Sequence, residues 1–475
     1  TFEMLARGET MGLFQLNGTG MTAFLKQLQP SSIHDINAMV ALYRPGPMES
    51  IPQYIERKHN PNLVTYLDPR LRTILDRSYG VITYQDDVMM ISIELAGYSW
   101  LDADKLRKAM GKKIPEVMEA EKEKLMKGFH EYGKLSANVA EKLWKLIEPF
   151  AAYGFNKAHA ASYGRVAYQT AYMKANYPVE YMSAVLTADA GDTEKISEII
   201  RECERMGIPV LPPDINESFA PFSVVPAHDG EQSKIRFGLT TIKNFGEGIS
   251  EEIVEERKQN GPFTSLADFL TRIASKNLNK KSLEALIMTG CFDRFEKRAT
   301  LLYNLDTILA YHKESSHGKE AAQDSLFGGF GESSVHALIL EPVPPASLFV
   351  ELKAEKEPLG VYVSGHPLDA YTSELEKRPS ITSLKRDGRN GIPVVTAGMI
   401  ENVRELLTKK GDRMAFIMLG DKGDTIEMVA FPETYQTYKD ILVPGSCVAV
   451  KGRLSIRNDE PTIALEKVKG LERRS

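Results

Sequence analysis

The spacing of apolar residues changes along this chain, and that change limits its possible folds more than any other feature. Over the first 215 residues apolar positions recur at helical spacing, as in "SIHDINAMVALY" and "SYGRVAYQTAYMKANY". From about residue 391 apolar and polar residues alternate instead, in "VVTAGMI", "MAFIML", "TIEMVAF", "SCVAVKGRL" and "TIALEKV". A single repetitive fold cannot satisfy both patterns, so we predict a multidomain protein that is mainly helical and ends in strands.

Prolines and glycines that interrupt helices divide the chain further. "RPGPM" at 44–48 and "VLPPDIN" at 210–216 break helices, because proline lacks an amide donor and clashes with the preceding turn. Short helices around glycine turns are expected over 236–300, and a polar linker or exposed loop over 313–347. Five short strands in about 80 residues predict a small barrel of the oligonucleotide-binding type. The predicted domains are 1–215, 216–300, 301–390 and 391–475.

Composition places the protein in the globular class. The chain has 475 residues, 43% of them hydrophobic and 26% charged, which is enough for several domains with cores of their own. Its apolar runs fall far short of the roughly 20 residues of a spanning helix, and no signal pattern opens the chain, so a cytoplasmic protein is expected. Cys203, Cys291 and Cys447 are widely spaced and are predicted to be reduced, buried thiols. Since the chain opens on Thr1, we favour a piece of a longer protein.

A local excess of positive charge marks one candidate site. The net charge is −5, yet residues 101–175 carry 14 Lys and Arg against 9 Asp and Glu. The stretch "LRKAMGKK" supplies a cation cluster suited to a polyphosphate, comprising Arg107, Lys108, Lys112 and Lys113. No GxxxxGK[ST] phrase is present, so the site is not a P-loop. Much of the excess also fits a set of solvated lysine-rich helices, as in "EAEKEKLMKGFHEYGK".

A second polar cluster lies in "YGFNKAHAASYG", residues 153–164. Here Asn156, Lys157 and His159 stand among small residues and could donate hydrogen bonds or charge to a phosphate. An alternative remains open, with Asn156 as a turn residue and His159 as a satisfied histidine at a helix start.

Two nearby carboxylates, Asp102 and Asp104, have a spacing that a two-metal site could use. We favour capping, because Ser99 and Asp102 match the first and fourth positions of a capping box. The sequence therefore predicts no metal ligand here.

The stretch "GLTTIKNFGEGISEEIVEER", residues 238–257, has the pattern of a helix–hairpin–helix. Gly246 and Gly248 precede an amphipathic helix, and glycine lets backbone amides approach a DNA phosphate. With Lys243 they form the predicted DNA-binding set, although many turns between helices share this pattern.

The polar segment holds "QDSLF", a candidate partner motif made of Gln323, Asp324, Ser325, Leu326 and Phe327. Its apolar pair would dock either on the protein itself or on a partner.

Taken together, these phrases resemble the alpha subunits of bacterial DNA polymerase III. "GLFQLNGTGM", "VALYRPGPM", "YGVITYQDDVM", "LRKAMGKK", "YGFNKAHAASYG", "VEYMSAVLTAD", "GIPVLPPDIN" and "LNKKSLEALIMTGCFD" are phrases of that family in the family's order. The resemblance implies a helical fingers domain, a helix–hairpin–helix module, "QDSLF" as a sliding-clamp motif and a terminal oligonucleotide-binding barrel.

The resemblance also indicates what this stretch lacks. The family's palm, with a "PDFDVDF"-like phrase for the metals, and its histidinol-phosphatase-like domain precede the matched part, and neither is found here. The phrases that are present imply the C-terminal part of a replicative DNA-directed DNA polymerase. Mg²⁺ would be held outside this chain, which by itself should be inactive and bind no cofactor.

The implied partners are incoming dNTP, primer-template DNA, the sliding clamp, other subunits of the holoenzyme and replisome and, weakly, single-stranded DNA at the barrel. Weak binding is expected because residues 391–475 hold 13 basic and 12 acidic side chains. The alternatives are a non-catalytic DNA-binding and clamp-tethering module, or an unrelated helical enzyme that uses Asp102 and Asp104.

Overall fold

A computed structural model of the chain describes residues 1–112, 115–153, 155–227, 231–324, 337–408, 411–457 and 460–471. At a few of these positions, including 112 and 316–324, only the backbone is described. The chain forms two compact units, Thr1–Met182 and Ser183–Ser475. The four predicted domain boundaries stay predictions.

The α-helices follow one another along the chain as α1 (Phe2–Arg7), α2 (Thr19–Leu28), α3 (Ile33–Leu42), α4 (Ile51–His59), α5 (Leu71–Leu75), α6 (Gln85–Ala96), α7 (Trp100–Lys112), α8 (Pro115–Glu131), α9 (Ala137–Tyr153), α10 (Lys157–Asn176), α11 (Pro178–Ala188), α12 (Thr193–Arg205), α13 (Glu247–Asn260), α14 (Leu266–Arg272), α15 (Lys280–Met288), α16 (Arg298–Tyr303), α17 (Leu305–Asp324), α18 (Leu348–Leu359), α19 (Thr372–Leu375), α20 (Ile381–Asp387) and α21 (Pro432–Tyr438). Short 3₁₀ turns occupy Pro47–Ser50, Pro61–Leu63, Asp76–Ser78, Leu239–Thr241 and Pro367–Tyr371.

The strands are β1 (Val210–Leu211), β2 (Ser223–Val225), β3 (Lys234–Arg236), β4 (Pro393–Leu407), β5 (Arg413–Gly420), β6 (Thr425–Ala430), β7 (Cys447–Arg457) and β8 (Glu460–Gly470). Helices therefore precede the long strands, as the change in hydrophobic spacing predicts.

The first unit is built from helices around one apolar core that runs from α1 to α10. The close packing of α10 on α3 depends on Gly164, since a Cβ there would lie 1.9 Å from Asn37 Oδ1. The start of α10 meets the end of α3 through Ala160 and Ala41, beside the polar cluster of the "YGFNKAHAASYG" stretch.

The turn after α3 is set by two prolines and a glycine. Pro45 disfavours helical backbone at Arg44, and α3 ends at Leu42 as predicted. Gly46 has φ 96°, a conformation that a residue with a Cβ rarely adopts. Pro47 then opens a 3₁₀ turn that leads into α4. The backbone of Arg44 is thereby held on a rigid corner.

A three-stranded sheet in the second unit was not predicted. Its order is β1-β3-β2, with β1 parallel and β2 antiparallel to β3. The strands are only two or three residues long, too short for an alternating pattern to be recognised. The predicted short helices over 236–300 are confirmed as α13 to α16.

The expected linker over 313–347 is wrong in its first part, because α17 continues to Asp324. The polar residues of that part include good helix formers such as Lys, Glu and Ala, and the buried Ile308 and His312 anchor the helix earlier. Residues 337–347 are irregular and largely exposed, as expected for a loop.

The predicted barrel is confirmed as a closed five-stranded barrel of order β4-β5-β6-β8-β7. Its alternation is clearest in β6, where Ile426, Met428 and Ala430 are buried and their neighbours are partly exposed. Every pairing is antiparallel except the parallel contact of β6 with β8.

Two further sequence predictions concern membrane spans and thiols. Among the residues that the structure describes, none of the helices has the length and apolar character to cross a bilayer. All three cysteines are free thiols; Cys203 and Cys291 are buried as predicted, whereas Cys447 is half-buried. Burial raises the pKa of Cys291 to about 12, so it stays protonated near neutral pH.

Candidate functional site

The start of α10 brings Asn156, Lys157 and His159 together, and we call these three residues the α10 cluster. Asn156 is the N-cap, because its Oδ1 accepts a hydrogen bond of 2.9 Å from the His159 amide. The alternative role of Asn156, as a turn residue before the helix, is therefore observed in the local structure. Capping uses one oxygen only, and all three side chains remain exposed at the positive end of a 20-residue helix.

Aromatic rings support the side chains of Lys157 and His159. The Lys157 Nζ lies 5.4 Å from the centre of the Tyr84 ring. The His159 ring lies 5.0 Å from that of Phe155 and 4.1 Å from that of Tyr163, measured between centroids. An aromatic ring limits the positions that a flexible side chain can take, and it leaves the hydrogen-bond donors of that side chain unused.

Two acids face Lys157. Its amide donates 2.7 Å to Asp86 Oδ2, and its Nζ lies 3.7 Å from Asp87 Oδ1, a distance beyond a direct hydrogen bond. Asp87 is buried and accepts the amides of Thr83 and Tyr84. Burial raises the pKa of Asp87, against the opposing effect of those amides and of Lys157. Lys157 is therefore weakly paired, and its side chain remains half exposed.

The basic stretch of α7 is arranged differently. Arg107 Nη2 and Lys108 Nζ each lie 2.7 Å from a carboxylate oxygen of Asp104. Their hydrogen bonds, that of Lys108 above all, lower the pKa of Asp104. The side chain of Lys112 and the whole of Lys113 lie outside the described residues. No hydrogen bond or ion pair in the described part of the chain joins Arg107 and Lys108 to the α10 cluster, so their predicted common site stays a prediction.

Asp102 belongs to the cap at the start of α7. Its amide donates 3.2 Å to Ser99 Oγ, and its carboxylate accepts 2.6 Å from the same hydroxyl and 2.8 Å from Lys124. The Lys124 bond, followed by that of Ser99, lowers the pKa of Asp102 to about 2. Within the ranges that the structure describes, no group of His, Cys, Asp and Glu could hold a metal ion.

Arg44 is a basic residue that sequence reasoning missed. Its guanidinium carbon lies 4.1 Å above the Phe155 ring, the same ring that contacts His159. "RPGPM" predicts a helix break and belongs to one of the family phrases, and an arginine directly before a Pro-Gly-Pro turn is a signal that could have revealed this residue.

The predicted hairpin forms an exposed turn between buried anchors. Ile242, Phe245 and Ile249 are buried, whereas Lys243, Gly246 and Gly248 are exposed. Gly246 is the N-cap of α13, and a Cβ at Gly246 or Gly248 would meet nothing within 4 Å. Among the described residues, the amides of Gly246, Glu247 and Gly248 have no hydrogen-bond partner. Open amides at a helix start can receive a phosphate oxygen.

One wall of the barrel combines a ring with a cation. Phe416 on β5 is half-buried on the outer side of the strand, and the Arg404 guanidinium carbon lies 5.3 Å from its ring centre. Arg404 and Phe416 are paired across β4 and β5. Exposed rings beside basic side chains are a common surface for stacking unpaired bases.

The clamp-motif prediction cannot be placed in the fold. Ser325, Leu326 and Phe327 lie outside the described residues, as do the side chains of Gln323 and Asp324.

Comparisons with known proteins agree with these elements in chain order. Residues 1–133 match the bacterial DNA polymerase III alpha subunit finger domain, 207–301 a helix-hairpin-helix motif and 394–471 an OB-fold nucleic acid binding domain. Similar curated proteins are the DNA polymerase III subunits alpha of Thermus aquaticus, 42% identical over 92% of this chain, of Bacillus subtilis, 38% over 99%, and of Escherichia coli K12, 37% over 96%.

Over nearly its whole length, the chain resembles part of the bacterial DNA polymerase III alpha subunit. It spans 36% to 41% of the length of these relatives. The finger-domain match covers α1 to α8 and ends before the α10 cluster, while the helix-hairpin-helix match includes Lys243, Gly246 and Gly248. These matches confirm the resemblance and the fold class, whereas the individual site residues stay predictions.

Proposed function

We propose that the parent protein is a replicative DNA-directed DNA polymerase and that this chain supplies contacts to nucleotide, DNA and sliding clamp. The names of the relatives and the three matched families, in this order, support the proposal. Its setting would be the cytoplasm, with holoenzyme and replisome subunits as partners.

The observation that carries the nucleotide role is the α10 cluster. Lys157 is half exposed and only weakly paired, and it stands with His159 at the N-terminal end of a long helix. Both the charge and the helix dipole favour an anion there. In a polymerase, the triphosphate of an incoming dNTP is the anion of matching chemistry.

Arg107 and Lys108 would add to the site by exchanging Asp104 for phosphate oxygens. Such an exchange costs little, since Asp104 is partly exposed and its bonds compete with water. These cations would then position the phosphates and offset the negative charge that grows as the transferred phosphorus bonds rearrange.

Mg²⁺ does not fit the acids described here. Asp102 is bound to Lys124, and Asp104 to Arg107 and Lys108, so neither offers an open carboxylate. We propose that the ligands of the metal lie outside this chain. This arrangement also keeps the non-catalytic tethering role as the second candidate for the chain alone.

The other surfaces would bind DNA and the clamp. The hairpin amides would take duplex phosphates, and Phe416 with Arg404 would stack weakly on single strands. "QDSLF" would extend to an apolar groove of the ring-shaped clamp.

The first prediction tests the α10 cluster in the whole polymerase. Lys157→Ala should lower kcat/KM for dNTP at least tenfold and leave primer-template affinity nearly unchanged, because it removes a contact to the phosphates. The matched control is Lys145→Ala, another exposed lysine of the same unit. A change of less than about twofold in kcat/KM would refute the assignment.

A further inference from the structure

Arg44 carries a buried donor with no acceptor. The residue is half-buried, and its Nε is closed to solvent without a hydrogen-bond partner in the described part of the chain. An arginine keeps its charge at all relevant pH values and has donors only. Native structures leave few buried donors unpaired, because such a group loses its water and gains nothing in return. The two terminal nitrogens of Arg44 are also unpaired among the described residues, but unlike Nε they are not closed to solvent, so they are the donors that a ligand can meet.

The position of Arg44 is determined by its backbone and by a ring. Its amide donates 2.7 Å to Leu42 O, and its carbonyl accepts 3.1 Å from the Met48 amide across the Pro-Gly-Pro turn. The guanidinium lies 4.1 Å above Phe155. This stacking leaves the edge of the planar guanidinium, which bears the hydrogen-bond donors, available for a ligand.

Nearby carboxylates are already occupied by other donors. Asp86 accepts the Lys157 amide, and Asp87 accepts the amides of Thr83 and Tyr84. Among the described residues, no ion pair joins Arg44 to an acid. Arg44 and His159 contact the same Phe155 ring, and Phe155 packs with Tyr84, which underlies Lys157. Three basic side chains thus share one aromatic wall.

We propose that Arg44 is a phosphate ligand of the site formed by the α10 cluster. Its fork of donors binds two oxygens of a polyphosphate side by side, while Lys157 and His159 supply charge and a further donor. The proposal rests on the proposed nucleotide role of the α10 cluster and extends it to a residue from another element. The site is preformed, so this chain binds polyphosphate without metal.

The test is calorimetric titration of the 475-residue chain with inorganic tripolyphosphate in the absence of metal. Arg44→Gln should weaken binding at least tenfold, and Arg44→Lys should recover only part of the loss, because lysine keeps the charge and loses the fork. The matched control is Arg165→Gln on α10, an exposed arginine of the same unit, which should bind as the unaltered chain does.

Melting temperature separates ligand binding from a structural role. Removing an unpaired buried donor should leave the melting temperature of Arg44→Gln unchanged or slightly higher. A lowered melting temperature with unchanged affinity would overturn the proposal, as would absence of tripolyphosphate binding by the unaltered chain. Lys157→Ala decides which assignment fails: loss of affinity there, with none in Arg44→Gln, overturns Arg44 alone. The reverse pattern supports Arg44 and counts against Lys157.

Discussion

One side chain, Asn156, shows that a structural and a binding role can coexist. Its Oδ1 caps α10 through the His159 amide, while its Nδ2 has no partner among the described residues. The sequence presented these roles as alternatives because the stretch alone does not indicate which oxygen or nitrogen is used. The sequence was sufficient to bring Asn156, Lys157 and His159 together, because they lie in one short stretch at the start of α10. It could not associate Arg44 with them, because that requires the contact with Phe155, more than 100 residues away.

Gly46 provides a test of the turn that holds Arg44. Gly46→Ala should reduce the free energy of unfolding by about 1–3 kcal/mol, because φ 96° is strained for any residue with a Cβ. Chemical denaturation checks this value. The control, Gly248→Ala, places a methyl group in open space within a helix and should be neutral or stabilising. Equal effects of the two changes would mean that backbone strain does not set the turn.

Among the secondary-structure elements, predictions succeeded where the hydrophobic pattern was long. The barrel strands β4 to β8 and the helix α10 span many residues, so their periods were clear. The small β1–β3 sheet was missed because pairing between distant segments stabilises it. The first part of the linker was misassigned because α17 is polar near its end, and its beginning is fixed by burial of Ile308.

The loop before the 3₁₀ turn at Pro367–Tyr371 depends on a neutral histidine. His366 Nδ1 accepts 3.1 Å from the Leu368 amide. Burial lowers the pKa of His366 to about 4; Lys422 and Lys356 act in the same direction, whereas Asp369 and Asp421 oppose it. Below its ordinary pKa of about 6.5 the unfolded chain takes up a proton that the folded chain does not. Stability is therefore complete above about pH 6.5 and is lost as pH falls toward 4.

The corresponding measurement is thermal unfolding at pH 7 and pH 5. Over this interval the melting temperature of the unaltered chain should fall more than that of His366→Asn. The side-chain oxygen of asparagine preserves the cap and does not titrate. Parallel losses in both proteins would rule out His366 as the source.

The hairpin can be tested by its open amides. Gly248→Ala should weaken duplex binding several-fold without lowering the melting temperature, because the methyl group keeps a phosphate from the backbone. Binding by the unaltered chain should fall steeply between 50 and 200 mM salt and be independent of duplex sequence. Fluorescence anisotropy with two unrelated duplexes measures both properties. A strong preference for one duplex would contradict phosphate recognition.

On the scale of the whole molecule, the family resemblance could be predicted from the sequence because many phrases occur in a fixed order. Relatives 37% to 42% identical match nearly the whole chain, and the matched families follow the predicted order. Whether separate elements form one site could not be predicted from the sequence, as Arg107 and Lys108 illustrate. Their partner in the structure is Asp104, on their own helix.

The proposed clamp contact can be tested in the whole protein. Replacing both Leu326 and Phe327 with Ala should abolish clamp binding, because apolar anchors carry most of the energy of such interfaces. The melting temperature should stay unchanged if the pair is exposed in the free protein. Asp324→Ala is the matched control in the same motif. Retained clamp affinity with a lowered melting temperature would show that the pair packs within its own domain.

The strand order of the barrel has a consequence for synthesis on the ribosome. β8 is the last of the barrel strands in the sequence, yet it lies between β6 and β7 and pairs with both. While β8 is still inside the exit tunnel, β6 and β7 each present an edge with unpaired backbone groups. The barrel can therefore close only after Gly470 has emerged, and until then chaperones would have open strand edges to bind.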